Sequence, residues 1–172
     1  MKSSSRTRPA RPVGSNALLG HRDRILLVGS SGGHLAQLMA LRSWWVEYER
    51  AWCTFSTPDA HGHLDREHDV TWAYAPTTRN LRNLLRNGVL AWRLVRRFRP
   101  TVIVSTGAGV ALPFFVIGKA LRVRTVYLEV FDRIDSPTLT GRLCLPFTDV
   151  MCVQWPEQAG LYDGAHVIGP VL

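Results

Sequence analysis

The chain has 172 residues, 46% hydrophobic and 20% charged, with 14 Gly and 10 Pro. That is one ordinary domain able to bury a core, and it excludes collagen, coiled coil and a disulfide-stapled miniprotein. The net charge of +8 is concentrated: segment 1–24 contributes +5 and segment 79–99 contributes +7, leaving −4 elsewhere. Such patches point to nucleic acid or an anionic lipid surface, or else form a solvated face.

Cys53, Cys144 and Cys152 form no CxxC pair and are odd in number, so neither a disulfide framework nor a thiolate metal site is expected. No run reaches the ~20 apolar residues of a membrane-spanning helix, and no apolar core follows the basic N-terminus. The expectation is a cytoplasmic protein, neither secreted nor integral to a membrane.

Residues 1–22, rich in Ser, Arg, Pro and Gly without apolar periodicity, read as a disordered basic arm, leaving 23–172 as the folded domain. Short apolar runs at 25–28, 50–55, 70–74, 101–105, 124–130, 149–153 and 166–168 alternate with amphipathic stretches at 35–46, 79–98 and 110–121. Near-continuous Val/Ile/Leu strands separated by helices predict a parallel sheet covered on both faces, a Rossmann-like doubly wound α/β domain. Sites in such domains lie where strands end and helices begin.

After the first strand comes Gly29-Ser30-Ser31-Gly32-Gly33-His34, then helical sequence. Glycines permit a tight turn and a helix N-terminus attracts a phosphate, so the loop reads as a phosphate cradle or as a tight connection. The spacing is not G-x-G-x-x-G, no acid ends the second strand, and no Gly-Lys-Ser/Thr occurs, which disfavours NAD and excludes a P-loop. His34 is a candidate general base or a helix cap. Residues 59–69 hold His61, His63 and His68 among carboxylates, but their spacing matches no zinc motif and the stretch reads as a solvated linker.

In helix 79–98, Leu81, Leu84, Leu85, Trp92 and Val95 share a face expected to enter the core. Arg82, Arg86, Arg93 and Arg97 form a stripe about 60° wide, flanked by Leu90 and Leu94. That is the pattern of a helix on an anionic membrane surface. Few aromatics or amides interleave with the stripe, so nucleic acid is not the expected partner.

Thr106-Gly107-Ala108-Gly109 ends a strand and could grip a second phosphate, or be a plain turn. Glu129, Asp132, Arg133 and Asp135 follow another strand, where an acid/base or sugar-hydroxyl role competes with a structural Asp–Arg pair. Gln154, Trp155 and Glu157 could line a cleft or cap one.

The segments GSSGGHLAQL, NLRNLLRN, RPTVIVSTGAGVALPFF, VYLEVFDRIDSPTLTGRL, VQWPE and VIGPVL together resemble the PssD-like exopolysaccharide-biosynthesis proteins. They also resemble a eukaryotic relative, the membrane-recruiting subunit of the two-part N-acetylglucosaminyltransferase of dolichol-linked oligosaccharide synthesis. The resemblance runs from about Ile25 to Leu172. It implies the N-terminal, acceptor-side half of a GT-B glycosyltransferase, inverting and inactive alone. A separate small subunit would supply the UDP-sugar site, so this chain would bind no cofactor of its own. It implies further that Ser30 to Gly33 and Thr106 to Gly109 face the diphosphate of a polyprenyl-linked sugar acceptor, and that Glu129 lies near the catalytic cleft. His34, Glu129 and Asp132 would be the candidate bases, and Arg133, Gln154, Trp155 and Glu157 would face the cleft or the partner. The eukaryotic relatives carry an N-terminal membrane helix where this sequence has a basic arm. Peripheral association with the inner face of the cytoplasmic membrane is therefore expected.

Overall fold

The computed structural model describes residues 23–171; the arm expected at 1–22, and Leu172, lie outside them. Strand β1 (Arg24–Val28) leads through helices α1 (Gly33–Ala40) and α2 (Arg42–Trp45) to β2 (Glu49–Phe55), then α3 (Pro58–His63) and β3 (Val70–Ala73). Helix α4 (Leu81–Phe98), β4 (Val102–Ser105), α5 (Ala111–Ala120) and β5 (Arg124–Leu128) follow. The chain continues with α6 (Leu139–Cys144), a 3₁₀ turn (Leu145–Phe147), β6 (Val150–Val153), α7 (Pro156–Ala159) and β7 (His166–Val167).

The sheet is all parallel in the order β3-β2-β1-β4-β5-β6-β7. The strand order reverses between β1 and β4, which makes their C-terminal ends the switch point where ligands bind in open α/β sheets. Alternation along each strand sends neighbours to opposite cores. Ile25 and Leu27 pack with Leu35, Leu38, Trp45 and Trp52, whereas Leu26 and Val28 pack with Ala91, Leu94, Phe98 and Phe114. Both faces are thus covered, which explains why the strands read as continuous apolar runs.

All seven expected strands form, with ends shifted by one or two residues. Stretch 35–46 splits at Leu41 into α1 and α2. The expected linker at 59–69 instead begins with α3, started by Pro58 in its first turn. Glu67 in the same stretch accepts from Arg50 and from the Trp52 indole.

Helix α4 forms as expected but presents different faces. Leu81 is 68% and Trp92 44% exposed, and Leu85 and Val89 also face outward, while Leu94 is 3% exposed and Leu90 packs against the core. Only Val95 of the expected core face is buried. The inward positions beside Ala91, Leu94, Val95 and Phe98 are Asn83 and Asn87. The Asn87 amide accepts from Tyr74 N–H and donates to Tyr74 C=O, both at 2.9 Å, and Asn83 donates to Pro76 C=O at 2.9 Å. These carboxamides satisfy backbone that has left β3, which makes a polar residue the better inward choice. The four arginines of the stripe are all exposed, as expected. Their apolar border is Leu81, Leu85, Val89 and Trp92, within an arc of about 80°, and not Leu90 and Leu94.

Candidate functional site

Both Gly-rich loops leave from the neighbouring strands β1 and β4, so the topology brings them side by side. His34 Nδ1 lies 2.8 Å from Thr106 C=O, and the Thr106 hydroxyl donates to His34 C=O at 2.9 Å. Gly107 N–H donates to Ser105 Oγ at 3.0 Å, shaping the second turn. Gly107 has φ +112°, and a Cβ there would lie 2.7 Å from the Tyr127 hydroxyl and 3.2 Å from His34 Cε1. Only glycine allows that approach. A Cβ on Gly109 would be 2.9 Å from Thr77, and Ala108 itself adopts φ +63°.

His34 is partly exposed, and burial holds its imidazole below the ordinary 6.5, against the opposing effects of Thr106 C=O and the negative charges of Glu129 and Asp132. The ring is therefore neutral at neutral pH. No described side chain caps its first-turn neighbours on α1. Ser30 and Ser31 complete the loop, the Ser30 hydroxyl contacting Ser31 C=O at 3.3 Å. Gly32 departs from expectation: its N–H donates to Asp59 Oδ2 at 2.9 Å, so an internal carboxylate already holds one amide expected to meet a diphosphate.

Glu129 is 0% exposed and does not open onto the cleft. Its carboxylate accepts from Val130 N–H at 3.0 Å, from the Thr138 hydroxyl at 3.1 Å and from the Tyr162 hydroxyl. With these donors it shapes loop 129–138 and the start of α6, where the Thr138 hydroxyl accepts from Gly141 N–H at 3.0 Å. So enclosed, Glu129 anchors this loop from within and is not presented to the cleft as expected. Asp132 and Arg133 lie exposed on that loop.

Gln154 is likewise buried and does not line the cleft. Its Nε2 donates to Gln37 Oε1 at 2.7 Å and to Glu129 C=O at 3.0 Å, and its Oε1 accepts from Val171 N–H at 3.0 Å. Gln158 donates to Val130 C=O at 2.7 Å and to Arg133 C=O at 3.1 Å. Trp155 is partly exposed and its indole N–H donates to Phe131 C=O at 2.8 Å, while Glu157 is exposed. The β6–α7 turn thus holds the 129–133 backbone in place.

Sequence reasoning missed Asp59, Thr77, Tyr127, Gln37, Gln158 and Tyr162. Asp59 alone had a readable signal: Thr57-Pro58 starts a helix just past β2, which places its first-turn carboxylate at the C-terminal edge of the sheet. Among the described residues no cluster of His, Cys, Asp or Glu could hold a metal ion. His61 instead lies against Trp72 with ring centroids 4.3 Å apart, its Nε2 2.9 Å from Ser56 Oγ. A cleft of about 510 Å³ lined by Lys119, Arg122, Val123, Arg124, Asp149 and Val150 lies where β5 and β6 begin and contains none of the candidate residues.

A family model described as "Oligosaccharide biosynthesis protein Alg14 like" matches residues 63–171. That stretch includes the second Gly-rich loop, loop 129–138 and the β6–α7 turn. The chain is 36% identical over 77 residues to the UDP-N-acetylglucosamine transferase subunit alg14 of Schizosaccharomyces pombe, covering 42% of this chain and 37% of the relative. It is 34% identical over 104 residues to the corresponding subunit of Eremothecium gossypii, covering 54% and 46%. The matches therefore span less than half the length of these curated relatives. Among solved structures, Acinetobacter baumannii MurG superposes with a TM-score of 0.70 at 13% identity, over 86% of this chain and 45% of MurG. At that identity the likeness establishes the fold. With its family-specific segment spanning more than half the sequence, the chain belongs to the Alg14-like family of oligosaccharide biosynthesis proteins.

Proposed function

We propose that this chain is the acceptor-side, membrane-associating subunit of a two-part UDP-N-acetylglucosamine transferase that extends a polyprenyl-diphosphate-linked sugar. The observation that carries the proposal is the His34–Thr106 clasp. It sets two glycine-rich loops side by side at the switch point, with first-turn amides on α1 that no described side chain caps and a neutral imidazole between them. Amides at a helix N-terminus suit a diphosphate. A small partner chain would bring the UDP-sugar across the cleft, and this chain would need no cofactor of its own.

In the proposed reaction the acceptor hydroxyl attacks the anomeric carbon of the donor while UDP leaves with the bonding pair. His34 Nε2 takes the hydroxyl proton. Asp132, on the exposed loop, would assist as the other candidate base. Glu129 acts through the loop it shapes. The exopolysaccharide setting of the PssD-like proteins supplies one context for such a step.

Membrane association would use the outward face of α4. From Val70 to Leu128 the sequence has ten Lys or Arg and no Asp or Glu. Leu81, Leu85, Val89 and Trp92 form the apolar border and Arg82, Arg86 and Arg93 the basic one, while Arg97 pairs with Asp69 at 2.5 Å. Apolar side chains beside guanidiniums suit an anionic bilayer better than nucleic acid. No described helix is long and apolar enough to cross a membrane. Peripheral attachment at the cytoplasmic face is the corresponding expectation.

A second reading, a recruiting scaffold without catalytic groups, is favoured by the enclosure of Glu129. The deciding assay mixes this chain, a candidate donor-side partner, UDP-N-acetylglucosamine and a polyprenyl-diphosphate acceptor in vesicles. Transfer by the pair and by neither chain alone is expected; transfer by this chain unaided overturns the proposal. A His34 variant that keeps full transfer selects the scaffold.

A further inference from the structure

The contact between Asp59 and Gly32 gives the cleft a polarity. Asp59 opens α3 at the C-terminal end of β2, and its Oδ2 accepts from Gly32 N–H at 2.9 Å, across 27 residues of sequence. The Thr57 hydroxyl and the Gly32 amide hold its carboxyl below the usual carboxylate range, so it is charged at neutral pH. It is exposed, so it also meets whatever lies over the first glycine turn. A second fixed anion placed on that amide would meet this carboxylate at hydrogen-bonding range, where like charges repel.

The other side of the same turn is different. No described side chain caps the α1 amides following Gly32, and the second glycine turn stands beside His34 at Gly107, whose own N–H is held by Ser105 Oγ, while no carboxylate is bonded to Ala108 or Gly109 among the described residues. A carboxylate has about four lone-pair positions, of which Gly32 uses one, so Asp59 can still accept from hydroxyl groups. Ser56, on the same β2–α3 turn, is exposed, with Oγ 2.9 Å from His61 Nε2. The Asp59 side therefore suits a neutral, hydroxyl-bearing group, and the side of the uncapped α1 amides and the Ala108–Gly109 turn suits an anion.

We infer that Asp59 is a specificity-determining residue. It turns the diphosphate of the acceptor away from Gly32 toward the backbone of Gly33, His34, Ala108 and Gly109, and it receives a hydroxyl of the acceptor's sugar. This rests on the acceptor-side reading of the chain, which it refines by fixing which end of the ligand lies where. Gly32 thereby changes role, from phosphate donor to anchor of the carboxylate that excludes phosphate.

Two probes separate the effects, each titrated into the full chain by calorimetry with the amide spectrum followed in parallel. One is inorganic pyrophosphate and the other is an alkyl diphosphate ester of N-acetylglucosamine. Asp59→Asn removes the charge and keeps an oxygen for Gly32, and Asp59→Ser provides a second variant with an acceptor oxygen. Both are expected to tighten pyrophosphate binding by about fivefold, the scale of an exposed charge contact, and to weaken the sugar ester by at least a similar factor. Opposite signs are the signature, because a purely structural role would move both probes the same way. If the wild-type chain binds both probes and the variants shift them alike or not at all, the polarity is wrong and the acceptor-side reading stands. If neither probe binds wild type or variant, the acceptor-side reading falls, and the inference with it.

Discussion

His34 and Thr106 are joined twice, through the imidazole Nδ1 to the Thr106 carbonyl and through the Thr106 hydroxyl to the His34 carbonyl. A carbonyl can only accept, so Nδ1 carries the proton and Nε2 presents a lone pair. The clasp therefore selects the tautomer a general base requires, besides fixing the spacing of the two loops.

Replacing His34 by Ala should lower kcat of the assembled pair by about 100-fold or more, the usual scale for losing a positioned base. Acceptor KM should stay within about threefold. Steady-state kinetics with varied acceptor check this; a loss below tenfold with unchanged KM makes His34 a clasp and not a base.

The pH profile should follow from the lowered imidazole pKa. In the proposed role neutral His34 is the working form, so kcat/KM should hold as pH falls through 6.5 and decline only below it. The same shift gives a stability term of matching sign. Protonation favours the unfolded chain, so the contribution is complete above 6.5 and is lost between 6.5 and the lower folded value as pH drops. Comparing pH-dependent melting of the wild type and His34→Gln tests this, since the variant should lack that slope.

Gly107→Ala should destabilise the chain by about 1–3 kcal/mol, because it combines left-handed backbone with a clash against the Tyr127 hydroxyl. Adding Tyr127→Phe removes the nearest atom and should recover part of the loss. Thermal melts of the single and double variants decide; a single variant melting like wild type contradicts the close approach.

On α4, Leu85→Glu combined with Trp92→Glu should abolish flotation with anionic vesicles while leaving the melting temperature nearly unchanged. Leu94→Ala should do the reverse, lowering stability by about 2–5 kcal/mol as a buried truncation does and sparing vesicle binding. At about 1 M salt, where the Debye length is about 3 Å, the guanidinium share should vanish and the apolar share persist. Vesicle binding lost through Leu94 alone would return the face to its sequence-based assignment.

The strand pattern and both glycine loops were legible because buried parallel strands and tight βα turns restrict residue type at nearly every position. The faces of α4 were not. Apolar side chains occur on two sides of that helix, and periodicity cannot show that Asn83 and Asn87 turn inward, since the reason is backbone N–H and C=O groups on the separate segment 74–76. Glu129 was legible as an unusual charge at a strand end, but its enclosure depends on Tyr162, 33 residues away. The Asp59–Gly32 contact joins two loops whose adjacency follows only from the pairing of β1 with β2.

The buried amides of Gln37, Gln154 and Gln158 have a consequence for exchange with solvent. They fasten α1, β6 and the 129–133 backbone to one another, so these segments should take up deuterium as a single cooperative unit. Gln154→Ala would then quicken exchange in α1 through Gln37, without touching the Gly-rich turn itself. A loss of turnover in that variant would report slackened scaffolding and not a missing reactive group.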